Sequence, residues 1–426
     1  MRMIRVIGLT LFIALLLSGC TEFSSKPDRS PTANDSQGND SADGNTNQDN
    51  PPDSNNEASN ETSNPDAPPD EITDAVWMAA GDVMMHMPQL PGAYDSKTKK
   101  YNFNPFFEQV QPILKQADWS LVNLETPIGG KALGYSGFPR FNAPSELADA
   151  LKYAGFTVVT NANNHALDRG AKGVELTLEK LQKLGFAVKG TARSQSEADA
   201  ITIVERKGIR MGLLAYTYGT NGIPLPANKP YTVSLIDESA IIRDIKRLRA
   251  AGVDFITVSL HFGTEYQTVP NNTQTALARK LIAAGADIIA GSHPHVVQPY
   301  ETVEAVREDG TIRRGLIIYS MGNFISNQRG DTKDYGVIFK VHIQKNVSKG
   351  ITTIGDVEPI PTWVKRTKQS GVNHYVIIPV EQTLLHHNQE GLTNADYEAL
   401  KTNLDILAKR FASMSQQPYT LKDSIQ

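Results

Sequence analysis

From residue 75 onward, short apolar runs alternate with segments whose apolar positions recur every three or four residues. The runs at 75–81, 119–124, 156–161, 186–190, 255–260 and 288–290 predict strands, because they are too short for helices and end at Gly, Asn, Asp or His. Residues 145–153, 170–184, 239–251 and 273–284 carry the helical period, the first with Ser145 as the expected N-cap. Residues 104–117 place Phe106, Phe107, Val110, Ile113 and Leu114 on one helical face and predict a further helix. Residues 201–205 and 209–216, split by Lys207-Gly208, predict a hairpin, and 316–320 and 337–343 predict strands in an antiparallel stretch. Residues 394–414 form an amphipathic pattern through Tyr397, Leu400, Leu404, Leu407 and Phe411, expected to pack on the domain or to mediate association. The order is that of an α/β fold.

The pattern changes before residue 74. Arg2 and Arg5 precede an apolar run from Val6 to Leu17, then Leu17-Ser18-Gly19-Cys20. That is the grammar of a bacterial lipoprotein signal peptide over 1–20, with Cys20 the lipid-modified first residue of the mature chain. The run is too short to span a bilayer comfortably. Cys20 is the only cysteine, so no disulfide forms within the chain. Residues 21–73 are mostly Asn, Asp, Ser, Pro, Gly and Glu with almost no large apolar residue, a composition that cannot offset its own ordering entropy; they read as a disordered acidic tether. The net charge of −4 is misleading for this reason. With the four cations and twelve acids before residue 74 set aside, 38 Lys and Arg face 34 Asp and Glu, and the folded part is about +4. No basic stripe with interleaved aromatics points to nucleic acid. The expected organisation is one domain over 74–380 and a helical extension over 381–426.

Chemistry gathers at the downstream ends of the strands. Gly81-Asp82, Asn123-Leu124-Glu125, Asn163-Asn164-His165, His261-Phe262-Gly263 and Gly291-Ser292-His293-Pro294-His295 each follow an apolar run. In an α/β sheet such ends line one crevice. Singly each has a plain structural reading: a strand-end Asp caps a helix, an Asn pair makes a turn, a lone His fills a core. Together, carboxylate and amide oxygens mixed with imidazoles are a donor set for Mn, Fe, Zn or Mg. Two histidines two residues apart on an extended end can project toward one ion.

This ordered set, with Ala-Asn-Asn-His-Ala-Leu-Asp at 162–168, His-Phe-Gly-Thr-Glu-Tyr at 261–266 and Tyr-Ser-Met-Gly-Asn-Phe at 319–324, resembles the CapA family. These are bacterial surface proteins of poly-γ-glutamate and capsule synthesis within the calcineurin-like metallophosphoesterase superfamily. The resemblance covers about Ala80 to Gly322. It implies a four-layer αββα sandwich with a site for two divalent metal ions at one edge of the paired sheets. Carried over, Asp82, Glu125, Asn164, His261, His293 and His295 match metal ligands, Glu125 standing where a bridging aspartate is usual. His165 matches the histidine that assists at the reacting group. One departure is plain: the His expected two residues after Asp82 is Met84, and the nearest is His86.

Rings bound to metal need acceptors behind them. Asp168, Glu265 and Asn323 are the candidates for that outer role, Asp168 also being placed to cap the helix that follows; His86 either swings in toward the metal or takes an outer or structural place. Two functions are expected from this reading. One is a metal-dependent hydrolase, lipid-anchored at the extracytoplasmic face of a bacterial membrane and acting on an anionic polymer such as poly-γ-glutamate or its precursor. The other is a non-catalytic metal- or polymer-binding subunit of a membrane synthesis complex.

Overall fold

The computed structural model describes residues 71–306, 310, 312–387, 389, 391–415 and 419–421. Cys20, the signal peptide and almost all of the expected tether lie outside the described residues. The described residues form one compact unit.

Two large sheets carry the fold. The first contains β1 (Ile72–Val83), β2 (Trp119–Leu124), β3 (Val158–Thr160) and β4 (Ala187–Lys189). The second contains β5 (Thr202–Arg206), β6 (Ile209–Thr217), β7 (Phe255–His261), β8 (Ile288–Ser292), β9 (Tyr300–Val306) and β10 (Ile312–Ile318). The chain then returns to the first sheet with β11 (Asn323–Ile325), β12 (Tyr335–Asn346), β13 (Ile351–Gln369) and β14 (Val372–Pro379). The first sheet runs β14-β13-β12-β1-β2-β3-β4 with β11 beside β1; the second runs β9-β10-β8-β7-β6-β5, with β15 (Tyr419–Leu421) on β9. The strands that reach the site, β1, β2, β3, β6, β7, β8 and β10, are parallel to their neighbours among these, as βαβ order requires.

Their apolar runs are continuous because both faces are buried. On β1, Trp77 and Ala79 face the partner sheet, whereas Met78 and Ala80 face helices. Trp119 and Leu121 of β2 meet Met211, Leu213 and Phe255 in the layer between the sheets. Outside the first sheet lies α1 (Glu146–Ala154), which buries Leu147 and Leu151; α2 (Gly170–Lys183) packs nearby through Val174, Leu178 and Leu181. Outside the second sheet, α3 (Glu238–Ala250) and α4 (Asn272–Ala283) bury Ile241, Ile245, Leu248, Leu281 and Ile282. The architecture is therefore the four-layer αββα sandwich.

Several elements differ from expectation. Residues 104–117 do not form one helix. They make a 3₁₀ turn at Asn104–Phe106 and a single helical turn at Gln111–Leu114. Pro105 and Pro112 lack the N–H a continuous helix needs, yet the apolar face still goes inward. Ser145 holds the N-cap position of α1 but its side chain makes no cap bond. The long strands β13 and β14 had no expected counterpart. Pro359 and Pro361 interrupt the β13 pattern, and they are tolerated because β14 pairs only with Thr362 onward. In the C-terminal helices α5 (Val380–His386) and α6 (Asn394–Ser415), Val380, Leu400, Leu407 and Phe411 join the inter-sheet core. No described helix is long and apolar enough to cross a membrane.

Candidate metal centre

The two sheets present their strand ends at the same edge. Asp82, Asn123 and Thr160 are register neighbours in the first sheet; Thr217, His261 and Ser292 are neighbours in the second. A register shift between Ala80 and Asp82 turns the end of β1 toward the site. Gly81 makes that possible, since a Cβ there would stand 1.9 Å from the Gly322 carbonyl oxygen.

Asp82, Glu125, Asn164, His261, His293 and His295 converge and are all buried. Their ligand atoms form two overlapping groups, Glu125 with His261 and His293, and Asp82 with Glu125 and His295, each within 4.8 Å. Glu125 belongs to both. His261 Nε2 lies 2.9 Å from Asn164 Oδ1 and 3.3 Å from Glu125 Oε1. His295 Nε2 lies 3.8 Å from Glu125 Oε1, and its Nδ1 is 3.4 Å from Asp82 Oδ2. The backbone N–H of His293 donates to Asp82 Oδ2 at 3.3 Å. His293 and His295 have φ values of 102° and 58°, left-handed conformations that are costly for non-glycine residues. The strained turn is what brings both rings back over the strand end.

The rings are held from behind. His261 Nδ1 meets Ser292 Oγ at 2.9 Å, and Asn123 Nδ2 at 3.3 Å. His295 Nδ1 lies 3.1 Å from Asn323 Oδ1, and the Asn323 amide donates to the His295 carbonyl at 3.2 Å. Asn123 donates to Asp82 Oδ1 at 2.7 Å and accepts from Asn163 at 3.2 Å. This leaves the Nε2 edges of His261 and His295 facing Glu125. Asn123, Asn163 and Ser292 lie inside the motifs singled out in the sequence, although nothing in their types marked them as orienting groups. Tyr218 and Asn221, which flank the site from the loop after β6, carried no sequence signal. The Tyr218 ring centroid is 4.5 Å from that of His293.

The electrostatics ask for a cation. Burial, then the Asp82 charge, pushes the Glu125 carboxyl well above its usual range. Burial and the neighbouring histidines push the His261 imidazole well below 6.5, and burial takes His293 down to about 3. Both Glu125 oxygens and His293 Nδ1 are buried without a hydrogen-bond partner. A buried carboxylate that accepts nothing is expensive unless a positive charge compensates it. Neutral imidazoles, carboxylates and an amide oxygen fit a divalent ion of the first transition row or Mg.

The other expected residues separate clearly. His165 is buried but engages Asp168, Nδ1 to Oδ2 at 2.8 Å, rather than the ligand groups. Asp168 Oδ2 also accepts from the Phe141 N–H at 2.6 Å. Asp168 is thus no helix cap; Arg169 holds that position on α2. The Phe141 ring meets His165 edge-on at 4.7 Å, and Asn221 bridges Asn164 and His165, at 3.2 Å from the Asn164 amide and 3.5 Å from His165 Nε2. His86 does not reach the ligand groups. Its ring packs edge-on against Phe141 at 5.1 Å, its Nδ1 faces the Asn327 N–H, and burial lowers it to about 4. His86 precedes the 3₁₀ turn Met87–Gln89, and its backbone N–H donates to Gln89 Oε1 at 2.7 Å. Met84, where a histidine would sit, is buried, and its N–H is taken by the Ile325 carbonyl. Glu265 is exposed and groups with His293 and His295.

The sequence profile of the bacterial capsule synthesis protein PGA_cap family matches residues 76–328, the span that holds every ligand group. The chain belongs to that family. Capsule biosynthesis protein CapA of Bacillus anthracis is 29% identical over 290 residues, 66% of this chain and 66% of its own length. PGA biosynthesis protein CapA of Bacillus subtilis is 31% identical over 303 residues, 67% of this chain and 73% of its own length. Among solved structures, the calcineurin-like phosphoesterase YfkN from Bacillus subtilis overlays with a TM-score of 0.40 at 16% identity, covering 68% of this chain and 91% of that one. A likeness that remote says nothing of chemistry, which rests on this chain's strand-end groups themselves.

Proposed function

We propose that this chain is a metal-dependent, hydrolase-type component of capsule or poly-γ-glutamate synthesis. It acts on an anionic polymer or its precursor at the outer face of the membrane. Glu125 would hold both of two divalent ions, one with Asp82 and His295, the other with Asn164, His261 and His293. Ions bound there would supply Lewis acidity toward a carbonyl or phosphoryl oxygen.

The observation that carries the reading is the His165–Asp168 pair beside the ligand groups. A site that only stabilises the fold has no use for it. Asp168 fixes the Nδ1 proton of His165, so Nε2 accepts a proton from, or returns one to, a group placed where Asn221 now stands 3.5 Å away. Phe141 seats the ring, and burial keeps bulk water from it. Asn123, Ser292 and Asn323 keep the ligand rings in register. The test is hydrolysis of a generic phosphodiester and of poly-γ-glutamate, with and without added metal, by wild type and His165→Ala. Loss in the variant at unchanged metal content supports catalysis.

The second reading is a non-catalytic subunit of a membrane synthesis complex that grips polymer carboxylates through its metal. Buried, apolar Met84 favours it, because the Asp82–Glu125–His295 group is left with three ligands. Polymer production that survives His165→Ala but not His293→Ala selects this reading.

Location follows from the Leu17-Ser18-Gly19-Cys20 box. We propose that Cys20 is acylated and that residues 21–73 tether the domain to the membrane, beside membrane subunits of the complex. One acyl chain holds marginally and two or more hold firmly. Cys20→Ala should release the protein or leave it unprocessed; cleaved protein still retained in the membrane contradicts the anchor.

A further inference from the structure

Glu265 stands apart from the other acids of the site. Asp82 and Glu125 are sealed in, whereas Glu265 is exposed, on the loop between β7 and α4. Its carboxylate nevertheless lies with ring nitrogens of His293 and His295, all within 4.8 Å of one another. Among the described residues no Lys or Arg forms an ion pair with it.

The loop that carries it is fixed rather than loose. The Phe262 N–H donates to the Ser292 carbonyl at 3.0 Å, and the Tyr266 N–H to the Pro294 carbonyl at 2.7 Å. The Gln267 carbonyl accepts from Gln298 at 2.8 Å, and Gln298 is held by Gln274 at 3.0 Å. The loop is therefore stitched to the His293-Pro294-His295 turn on both sides of Glu265. Two left-handed residues frame it, Gly263 at φ 103° and Tyr266 at φ 66°. For a tyrosine that conformation is an outlier, kept only where the surroundings over-determine it.

One of the two rings beside Glu265 also carries a nitrogen without a partner. His293 Nδ1 is buried with no hydrogen-bond partner, in a residue only 3% exposed. Asn323 already satisfies the Nδ1 side of His295. Glu265 is thus not needed to orient His295. The inner groups are also short of donors: Asp82, Glu125 and His295 make three, with Met84 adding none.

We propose that Glu265 is itself a metal ligand, the solvent-facing one, closing the centre from the side by which substrate arrives. This rests on the metal-centre reading of the same site and goes beyond its six inner ligands. Because the carboxylate is exposed and the others are buried, Glu265 is also the ligand an incoming polymer carboxylate or phosphate displaces most readily. A carboxylate that only oriented a ring would tolerate an amide; one that binds the cation supplies a charge the amide lacks, so the amide holds the ion more weakly.

The test is calorimetric titration of full-chain protein, stripped with chelator, with manganese(II) chloride. Wild type, Glu265→Gln, Glu265→Asp and Glu125→Gln are compared, with thermal melting of each metal-free protein to check folding. The proposal expects two ions on wild type. It expects one fewer, or a second ion at least about ten-fold weaker, on Glu265→Gln, with partial recovery in Glu265→Asp. Glu265→Gln that binds two ions as wild type does, while Glu125→Gln does not, overturns the role of Glu265 and leaves the inner centre standing. Wild type that takes up no manganese overturns both.

Discussion

The backbone N–H of His293 donates to Asp82 Oδ2 at 3.3 Å, joining residues 211 positions apart, one in β1 and the other just past the end of β8. It ties the end of β1 to the turn after β8. The two halves of the site are thereby held in one frame before any ion binds.

Gly81→Ala tests that frame. The added Cβ would meet the Gly322 carbonyl oxygen at 1.9 Å, and backbone cannot yield cheaply there. The expected result is a destabilised protein with weakened metal uptake, read by thermal melting and metal analysis. A variant with normal melting and normal metal content contradicts the role given to the β1 bulge.

His165→Ala should leave metal content near normal and lower any hydrolytic rate by roughly 10²–10⁴, the usual worth of a positioned acid–base group. Asp168→Asn should do part of the same, because the Nδ1 side of the ring loses its carboxylate. Rates per folded molecule, with melting curves alongside, separate this from loss of fold.

Glu125→Gln removes a buried carboxylate that accepts no hydrogen bond. The metal-free variant should melt no lower than wild type, and higher if Glu125 is ionised in the metal-free fold. Adding manganese should raise the wild-type midpoint, by about 4 kcal/mol of stabilisation at a thousand-fold excess over Kd, and leave the variant nearly unmoved. Equal gains in both proteins contradict the bridging position of Glu125.

Leu407→Ala examines the C-terminal helix. Leu407 is fully buried in the core between the sheets. The loss should be about 2–5 kcal/mol, the range for such truncations, in chemical denaturation. A negligible change shows that the helix is an appendage.

Much of this was legible in the sequence, for physical reasons that also explain the gaps. Trp119–Leu124 and Phe255–His261 read as strands because burial on both faces leaves no polar interruption. Asp82 and Glu125, His261 and His293 read as a site because successive strand ends carry donor side chains together. The division of those ends between two sheets is not written in any local run. It emerged from the resemblance and from the packing of Trp77 and Trp119 against Phe255 and Met211. Proline misled in both directions: Pro112 broke an expected helix, while Pro359 and Pro361 concealed β13. Tyr218 and Asn221 lie on an irregular loop, and only tertiary contact brings them beside His293, Asn164 and His165.

The most direct test of the metal centre is anomalous diffraction from crystals soaked in a manganese salt. Two peaks are expected, both within coordination distance of Glu125, one beside Asp82 and His295 and the other beside Asn164, His261 and His293. A well-ordered site with no anomalous peak near Glu125, or manganese bound only elsewhere on the molecule, contradicts the metal centre.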